Sequence, residues 1–476
     1  MADKICVISL GCPKNTVDSD NLTRKLIGNG FLYLNTPEDA DILLINTCGF
    51  IEAAKKESIE EILKLAAIKK GPKKLIVFGC LAKRYKDEIL KAIPEIDAIF
   101  GVGEDEKIVE YCERLKESEG LASGPHSGGF AEENESPRRQ RVKGSKEINK
   151  NIGPSTPSLT YSPINLFTHS PIHPFSSYAY LKISEGCNKR CSYCVIPSIR
   201  GKYKSINPDE ILKEAERAVK SGAKELILVG QDTACYGKDL NGYNISKLLK
   251  DICSLSGDFW IRLLYAYPAS ISESLLKVIA EEDKICKYLD IPFQHSEDRI
   301  LKLMKRGGTR KGYLNLIRKI RDTIPDIALR TTFIIDFPSE TEKEFNSLLD
   351  FIDEARFDRL GVFKYSQEEG TPAAKLKGQI SDIIKDRRVN EIMKHQAHIS
   401  LDENKKLIGR QFKALIDEIT NGIAIGRLYS HAPEIDGVVI IEAGSKGQRV
   451  KGSNTGSFVT VKITTAFEYD LKGIIA

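Results

Sequence analysis

Long apolar runs are missing from this chain. None approaches the roughly 20 residues that a membrane span requires, although 41% of its 476 residues are hydrophobic, an ordinary share for a globular protein. A basic segment leading into a long apolar stretch is missing too: Met1-Ala2-Asp3-Lys4 runs straight into an apolar strand pattern, so no secretory signal is expected. Neither charge dominates. Against 71 Lys and Arg stand 66 Asp and Glu, a net +5, which permits a nucleic-acid partner without demanding one. No internal repeat is visible. These absences predict a cytoplasmic globular protein of roughly two to four domains. In that reducing compartment disulfides are not expected, and clustered cysteines read as metal ligands or catalytic groups.

Cysteines are present in a pattern. Six of the eleven form two sets. Cys187, Cys191 and Cys194 are a tight Cys-x-x-x-Cys-x-x-Cys; Cys12, Cys48 and Cys80 are scattered, each ending an apolar run beside a glycine. Three thiolates hold three irons of a four-iron cluster and leave the fourth open. A purely structural metal site would be closed by a fourth protein ligand.

Apolar strands at 5–10, 41–46, 74–78 and 98–100 alternate with helical stretches near 16–29, 53–69 and 82–92. This predicts an α/β domain over 1–117, a doubly wound parallel sheet covered on both faces. Cys12, Cys48 and Cys80 then fall just past the carboxyl ends of strands, the edge where open α/β sheets bind ligands. Gly11, Gly49 and Gly79 are expected to let backbone approach a bulky ligand. Residues 118–177 turn to Ser, Pro, Gly and Asn and read as a disordered linker; its patch Arg138-Arg139-Gln140-Arg141 is a phosphate contact or a solvated charge run. Strands at 178–183, 225–230, 259–264, 287–291, 328–335 and 359–364, with helices such as 208–221 and 340–355, predict a partial (β/α)6 barrel over 178–404, trailed by one amphipathic helix at 381–404. Short β runs at 411–417, 422–428, 437–441, 457–463 and 472–475 predict a small antiparallel β-barrel over 405–476, of the kind that grips RNA or protein.

The run Glu185-Gly186-Cys187-Asn188-Lys189-Arg190-Cys191-Ser192-Tyr193-Cys194 resembles the signature of the radical S-adenosylmethionine (SAM) superfamily. A zinc knuckle would need a fourth ligand, and no His or Cys follows Cys194 closely. The resemblance implies a [4Fe-4S] cluster on the three thiolates, with SAM on the open iron and cleaved there to a radical. It implies that Tyr193 packs beside the adenine, unless it is an ordinary loop aromatic. In Gly230-Gln231-Asp232-Thr233, Gln231 and Asp232 are candidates for the SAM amino group; Asp232 or Thr233 as a helix cap is the alternative. Arg330 pairs with the SAM carboxylate or faces solvent, and His295 lines the pocket or is a hydrogen-bonded structural histidine. Of the other cysteines, Cys6 reads as core and Cys235 as core or a SAM neighbour, with Cys112, Cys253 and Cys286 unassigned.

Taken alone, Cys12, Cys48 and Cys80 are also compatible with buried structural thiols. With the radical SAM region and the C-terminal β module beside them, the blocks Leu10-Gly11-Cys12-Pro13-Lys14-Asn15, Asn46-Thr47-Cys48 and Phe78-Gly79-Cys80 resemble the methylthiotransferase family, over nearly the whole chain outside the linker. Leu181–Cys187, Gln231-Asp232-Thr233 with Tyr236-Gly237, Tyr365–Pro372 and Ala432–Gly437 resemble the branch that modifies an aspartate of ribosomal protein S-twelve. The resemblance implies two [4Fe-4S] clusters, the second on Cys12, Cys48 and Cys80. It also implies SAM as both methyl donor and radical source, an electron donor such as flavodoxin or ferredoxin, and a TRAM-like C-terminal barrel able to touch RNA. Where the family has Phe-x-x-Gly-Phe-Pro-Gly-Glu-Thr, this chain has Asp336 and Ser339 in place of the two glycines. Residues 405–476 hold ten Lys and Arg against seven Asp and Glu, so +3, where the protein-modifying branch is expected to be acidic. That charge keeps open the sister branch, which acts on a transfer-RNA adenosine. A non-catalytic iron–sulfur RNA-binding protein is the reading of another class.

Overall fold

The computed structural model describes residues 3–121, 177–420, 423–442 and 454–476. Apart from its two ends, the expected linker, with its arginine patch, lies outside the described residues.

The strands Lys4–Ser9, Leu32–Tyr33, Ile42–Thr47, Lys74–Gly79 and Ala98–Phe100 form one parallel sheet in the order second, first, third, fourth, fifth. Successive side chains leave opposite faces of a strand, so both faces need cover. Ile5, Val7, Leu44 and Phe78 pack with Leu22, Leu26 and Ile108 of the helices Pro13–Gly28 and Asp105–Leu121. Cys6, Leu43, Ile45 and Val77 pack with Ile62, Leu65 and Ile89 of Glu52–Ile68 and Lys86–Ala92. The helix expected near 82–92 is two, Cys80–Arg84 and Lys86–Ala92, broken at Tyr85 with φ −133°. Leu32–Tyr33 is too short to show a period, and the helix Asp105–Leu121 was not anticipated.

Six strands follow: Tyr178–Lys182, Glu225–Val229, Trp260–Leu263, Tyr288–Asp290, Ala328–Ile335 and Arg359–Lys364. They form two parallel three-stranded sheets bridged by an Ile261–Ile285 pairing, and so run in chain order as an open (β/α)6 barrel. Leu226, Leu228, Ile261 and Leu289 face the surrounding helices. Ile227, Val229, Trp260 and Tyr288 face inward, where Val17 of the first helix and Leu415, Ala432 and Phe458 of the C-terminal module cover them.

Strands Gln411–Thr420, Ile423–Leu428, Val439–Glu442, Phe458–Ala466 and Leu471–Ile475 close a barrel around Ala414, Ile416, Ile441 and Val461. It is not wholly antiparallel: Val439–Glu442 pairs parallel with Leu471–Ile475, and the other four seams are antiparallel. An odd number of strands cannot alternate direction all the way round a closed ring. Among the described residues, no helix is long and apolar enough to cross a membrane.

Candidate functional site

Cys12 caps the helix Pro13–Gly28, Cys48 follows the strand Ile42–Thr47, and Cys80 opens the helix Cys80–Arg84, all at the carboxyl edge of adjacent strands. Asn15 ties their loops together. Its Nδ2 donates to the carbonyls of Leu10 (2.8 Å) and Thr47 (3.3 Å), and its Oδ1 accepts from Arg200 (2.6 Å) and lies 3.8 Å from Cys80 Sγ. A Cβ on Gly11 would stand 2.7 Å from Cys48 Cβ, and one on Gly49 2.8 Å from Leu81 Cα. These two glycines therefore let the cysteine loops close on one another. Burial, with the neighbouring Cys12 and Cys80, pushes the Cys48 thiol up to about 12. Burial also raises Cys80 to about 11, against the pull of Arg200. For Cys12, burial is outweighed by Lys14, Arg200 and the backbone N–H groups of Asn15 and Lys14, and its pKa falls below the ordinary thiol value.

The tight set follows the first barrel strand. Cys187 Sγ accepts the Lys189 N–H and Cys194 Sγ the Ile196 N–H, each at 3.4 Å, while Arg306 Nη1 stands 3.8 Å from Cys191 Sγ. Donors aimed at sulfur favour thiolate and are the usual surroundings of cluster ligands. Burial pushes Cys194 up to about 12. Arg306 is buried, bonded to the Pro292 carbonyl and stacked 4.4 Å from the Tyr267 ring centroid. Among the described residues no three Cys, His, Asp or Glu side chains close around one point as the ligands of a single ion do. A cubane spreads its ligands over separate irons, and what supports one here is that the thiols of each triad lie near enough to push one another's pKa up, with hydrogen-bond donors around them.

Tyr193 packs with Ile300, Met304, Phe337 and Tyr365, and its hydroxyl, turned to Cys191 and Arg306, has a pKa held well above the ordinary phenol value, chiefly by burial. Both polar atoms of the Gln231 side chain are buried without a partner among the described residues, as expected of a group that waits for a polar ligand. Asp232 makes no side-chain cap. Its oxygens accept from Tyr267 N–H (3.2 Å) and Ser270 Oγ (2.7 Å), with Lys189 Nζ 3.7 Å away. His295 Nδ1 accepts the Glu297 N–H at 3.0 Å, and its Nε2 faces Glu340 at 3.6 Å. Arg330 does not face solvent: it lies 3.0 Å from Asp290 and 3.6 Å from Asp436 of the C-terminal module. Cys6 and Cys112 lie in the N-terminal core and Cys286 on the inner barrel face. Cys253 packs on the helical side, and Cys235 lies near Asp232. Asp336 and Ser339 keep the left-handed backbone that glycine favours, at φ +60° and +70°. Asp336 pairs with Arg388 at 2.8 Å, and Arg299 donates to both Ser339 Oγ (3.2 Å) and the Ser339 carbonyl (2.7 Å).

The loops that carry the two triads meet across the first two modules. Arg200 ends the helix Ile196–Arg200, just past Cys194, and bonds Asn15 while pairing with Asp18 (3.2 Å) and Glu185 (2.9 Å). Cys80 packs against Val195 and Ile199, and Lys14 Nζ reaches the Gly230 carbonyl at 3.5 Å. Lys14, Asn15, Arg200 and Arg306 were not singled out from sequence. The first two stand inside the Gly-Cys-Pro-Lys-Asn block that carried the resemblance, but Arg306 lies 115 residues from Cys191 with no local signal.

Models of the Radical SAM superfamily (residues 181–352), the TRAM domain (408–475) and the uncharacterized protein family UPF0004 (4–101) match the chain. A ribosomal protein uS12 methylthiotransferase RimO of Thermodesulfovibrio yellowstonii is 53% identical over 469 residues, 98% of this chain and 99% of its own. The chain belongs to the uS12 methylthiotransferase family. It is an enzyme, a radical SAM methylthiotransferase. Family members from a Thermoanaerobacter species and from Clostridioides difficile are 43% and 42% identical, over 98% and 99% of this chain and 98% of their own. Among solved structures, the radical SAM methyltransferase TsrM of Kitasatospora setae, 14% identical, overlays 89% of this chain and 77% of its own with a TM-score of 0.53; the likeness is one of fold.

Proposed function

We propose that this enzyme adds a methylthio group to the β-carbon of an aspartate in ribosomal protein uS12. In this reading Cys187, Cys191 and Cys194 hold one [4Fe-4S] cluster and Cys12, Cys48 and Cys80 a second. SAM binds beside the first, with Gln231 and Asp232 at its polar end and Tyr193, His295 and Arg330 farther around the site. When bound, clusters and SAM supply the one-electron chemistry for a carbon–hydrogen bond that no side-chain base can deprotonate. The chain supplies position. Asn15 and Arg200 fix the two thiol sets relative to each other, Gln231 offers unspent hydrogen bonds, and the C-terminal module covers the inner barrel face against water. The observation that carries this reading is the junction itself: two cysteine triads from separate modules, joined by the Arg200–Asn15 and Lys14–Gly230 contacts.

A ribosomal substrate places the enzyme in the cytoplasm, where flavodoxin or ferredoxin is the kind of donor that supplies electrons. The C-terminal barrel is the surface for any RNA contact. Mass spectrometry of uS12 and transfer RNA from cells lacking the gene tests the proposal. Loss of the methylthio increment from uS12 supports it. Loss from transfer RNA instead, the outcome favoured by the +3 charge of residues 405–476 (ten basic, seven acidic), replaces it with the sister activity. Failure of the reduced, cofactor-loaded protein to make 5′-deoxyadenosine from SAM would leave only a non-catalytic role.

A further inference from the structure

Lys14 carries a charge that so far has served only to lower the pKa of Cys12. Its side chain is buried, at 8% exposed, and comes from the N-terminal module. Among the described residues its one hydrogen bond, to the Gly230 carbonyl, is long at 3.5 Å, and its ammonium lies 4.5 Å from the centroid of the Tyr265 ring. It makes no ion pair with a carboxylate among the described residues. Arg200, the neighbouring cation, is offset by Asp18 and Glu185. An ammonium removed from water is costly unless it is paired, and this one keeps donors to spare, since an ammonium has three. The ring beneath it is held in an uncommon state. Tyr265 has φ +60°, left-handed backbone on an aromatic residue, with its N–H bonded to Asp290 at 3.2 Å. Such strain clusters at functional sites.

The position of Lys14 matters as much as its charge. It stands between Cys12, which presents one triad, and Gly230, at the strand end beside the other. A substrate atom that must meet both triads has to come to this place. An aspartate side chain brings a carboxylate on the carbon next to its reacting β-carbon.

We propose that the Lys14 ammonium binds the carboxylate of the substrate aspartate and thereby sets the preference for an acidic side chain over a neutral one. This rests on the reading above that the acceptor is an aspartate. The test uses the full-length enzyme loaded with its cofactors, uS12, and uS12 whose modified aspartate, mapped by mass spectrometry, is changed to asparagine. Binding of the two forms is measured directly and compared with kcat/KM. A charge-assisted hydrogen bond predicts that wild type binds the aspartate form roughly tenfold or more tightly than the asparagine form. Lys14→Met is expected to bring that ratio close to one, and Lys14→Arg to preserve most of it. If Lys14 serves only to neutralise Cys12, Lys14→Met weakens both forms together and leaves the ratio intact, which overturns the proposal. Equal binding of both forms by wild type overturns it as well. Should Lys14→Met lose its fold or iron, a Lys14→Arg enzyme that loses the ratio counts against the proposal and one that keeps it supports it. uS12 left unmodified by wild type sinks the aspartate reading and this inference together; modification with an unchanged ratio in Lys14→Met sinks the inference alone.

Discussion

Arg306 is a buried cation that stands 3.8 Å from the sulfur of Cys191, a ligand of the proposed cluster. Positive charge beside a cluster ligand favours the added electron of the reduced state. At an ambient potential well below the wild-type midpoint this matters little, but near it Arg306→Met should lower the ratio of reduced to oxidised cluster about tenfold. That corresponds to a midpoint about 59 mV more negative for a one-electron couple. Redox titration followed by electron paramagnetic resonance reads this directly, and an unchanged midpoint removes the role. Asp336 gives a second test, in stability. Burial and Glu340 push its carboxyl up to about 6, against the pull of Arg388, whereas an unfolded aspartate titrates at about 3.9. The folded chain thus holds this proton more tightly than the unfolded chain. Its contribution to stability is greatest below about pH 4 and is lost as pH rises to about 6. Asn tolerates left-handed backbone and does not titrate. The gain in denaturation midpoint of Asp336→Asn over wild type should therefore grow across that window and level off above it; a constant difference counts against the assignment. The sequence marked Asp336 and Ser339 as replacements for glycine. It could not reveal their φ angles or the Arg388 and Arg299 side chains that reach them from 52 and 40 residues away.

Elements were far more legible than their joints. The barrel strands of residues 178–364 carry near-continuous apolar runs, and the structure places strands where those runs lie. The break at Tyr85 and the parallel seam of the small barrel have no local signature, because each is decided by what packs alongside. The docking of the C-terminal module was equally invisible. Glu225, fully buried on the second barrel strand, is held by Arg262 at 2.5 Å and by Arg427, which also reaches Asp417 at 2.7 Å. Removing one partner of a buried ion pair costs about 3–5 kcal/mol, because the remaining charge is stranded. Arg427→Met should lower the unfolding temperature by several degrees and expose the C-terminal module to proteolysis at native temperature. A variant as resistant as wild type would show that the module is held by its apolar contacts alone.

At the scale of the molecule, the two triads should be separable in function though joined in space. Cys191→Ala is expected to abolish reductive cleavage of SAM, measured as 5′-deoxyadenosine. Cys48→Ala should leave that cleavage in place and abolish methylthio transfer, and transfer that persists in Cys48→Ala refutes the assignment of a second cluster. In the sequence the tight triad stands out by its spacing, and the loose one only by its position at strand ends together with the modules beside it. The contacts that bring them together, Arg200 to Asn15 and Lys14 to Gly230, span 185 and 216 residues and leave no periodic trace. The covered inner face of the open barrel has a consequence for biogenesis. Its apolar lining at Ile227, Val229, Trp260 and Tyr288 is sealed by residues as late as Phe458, so during synthesis these strands emerge with a sticky concave surface and nothing of their own to close it. Non-local closure of this kind is slow and exposes the chain to aggregation meanwhile. Nascent chains cut before the last barrel forms should therefore be far heavier clients of chaperones than the finished enzyme.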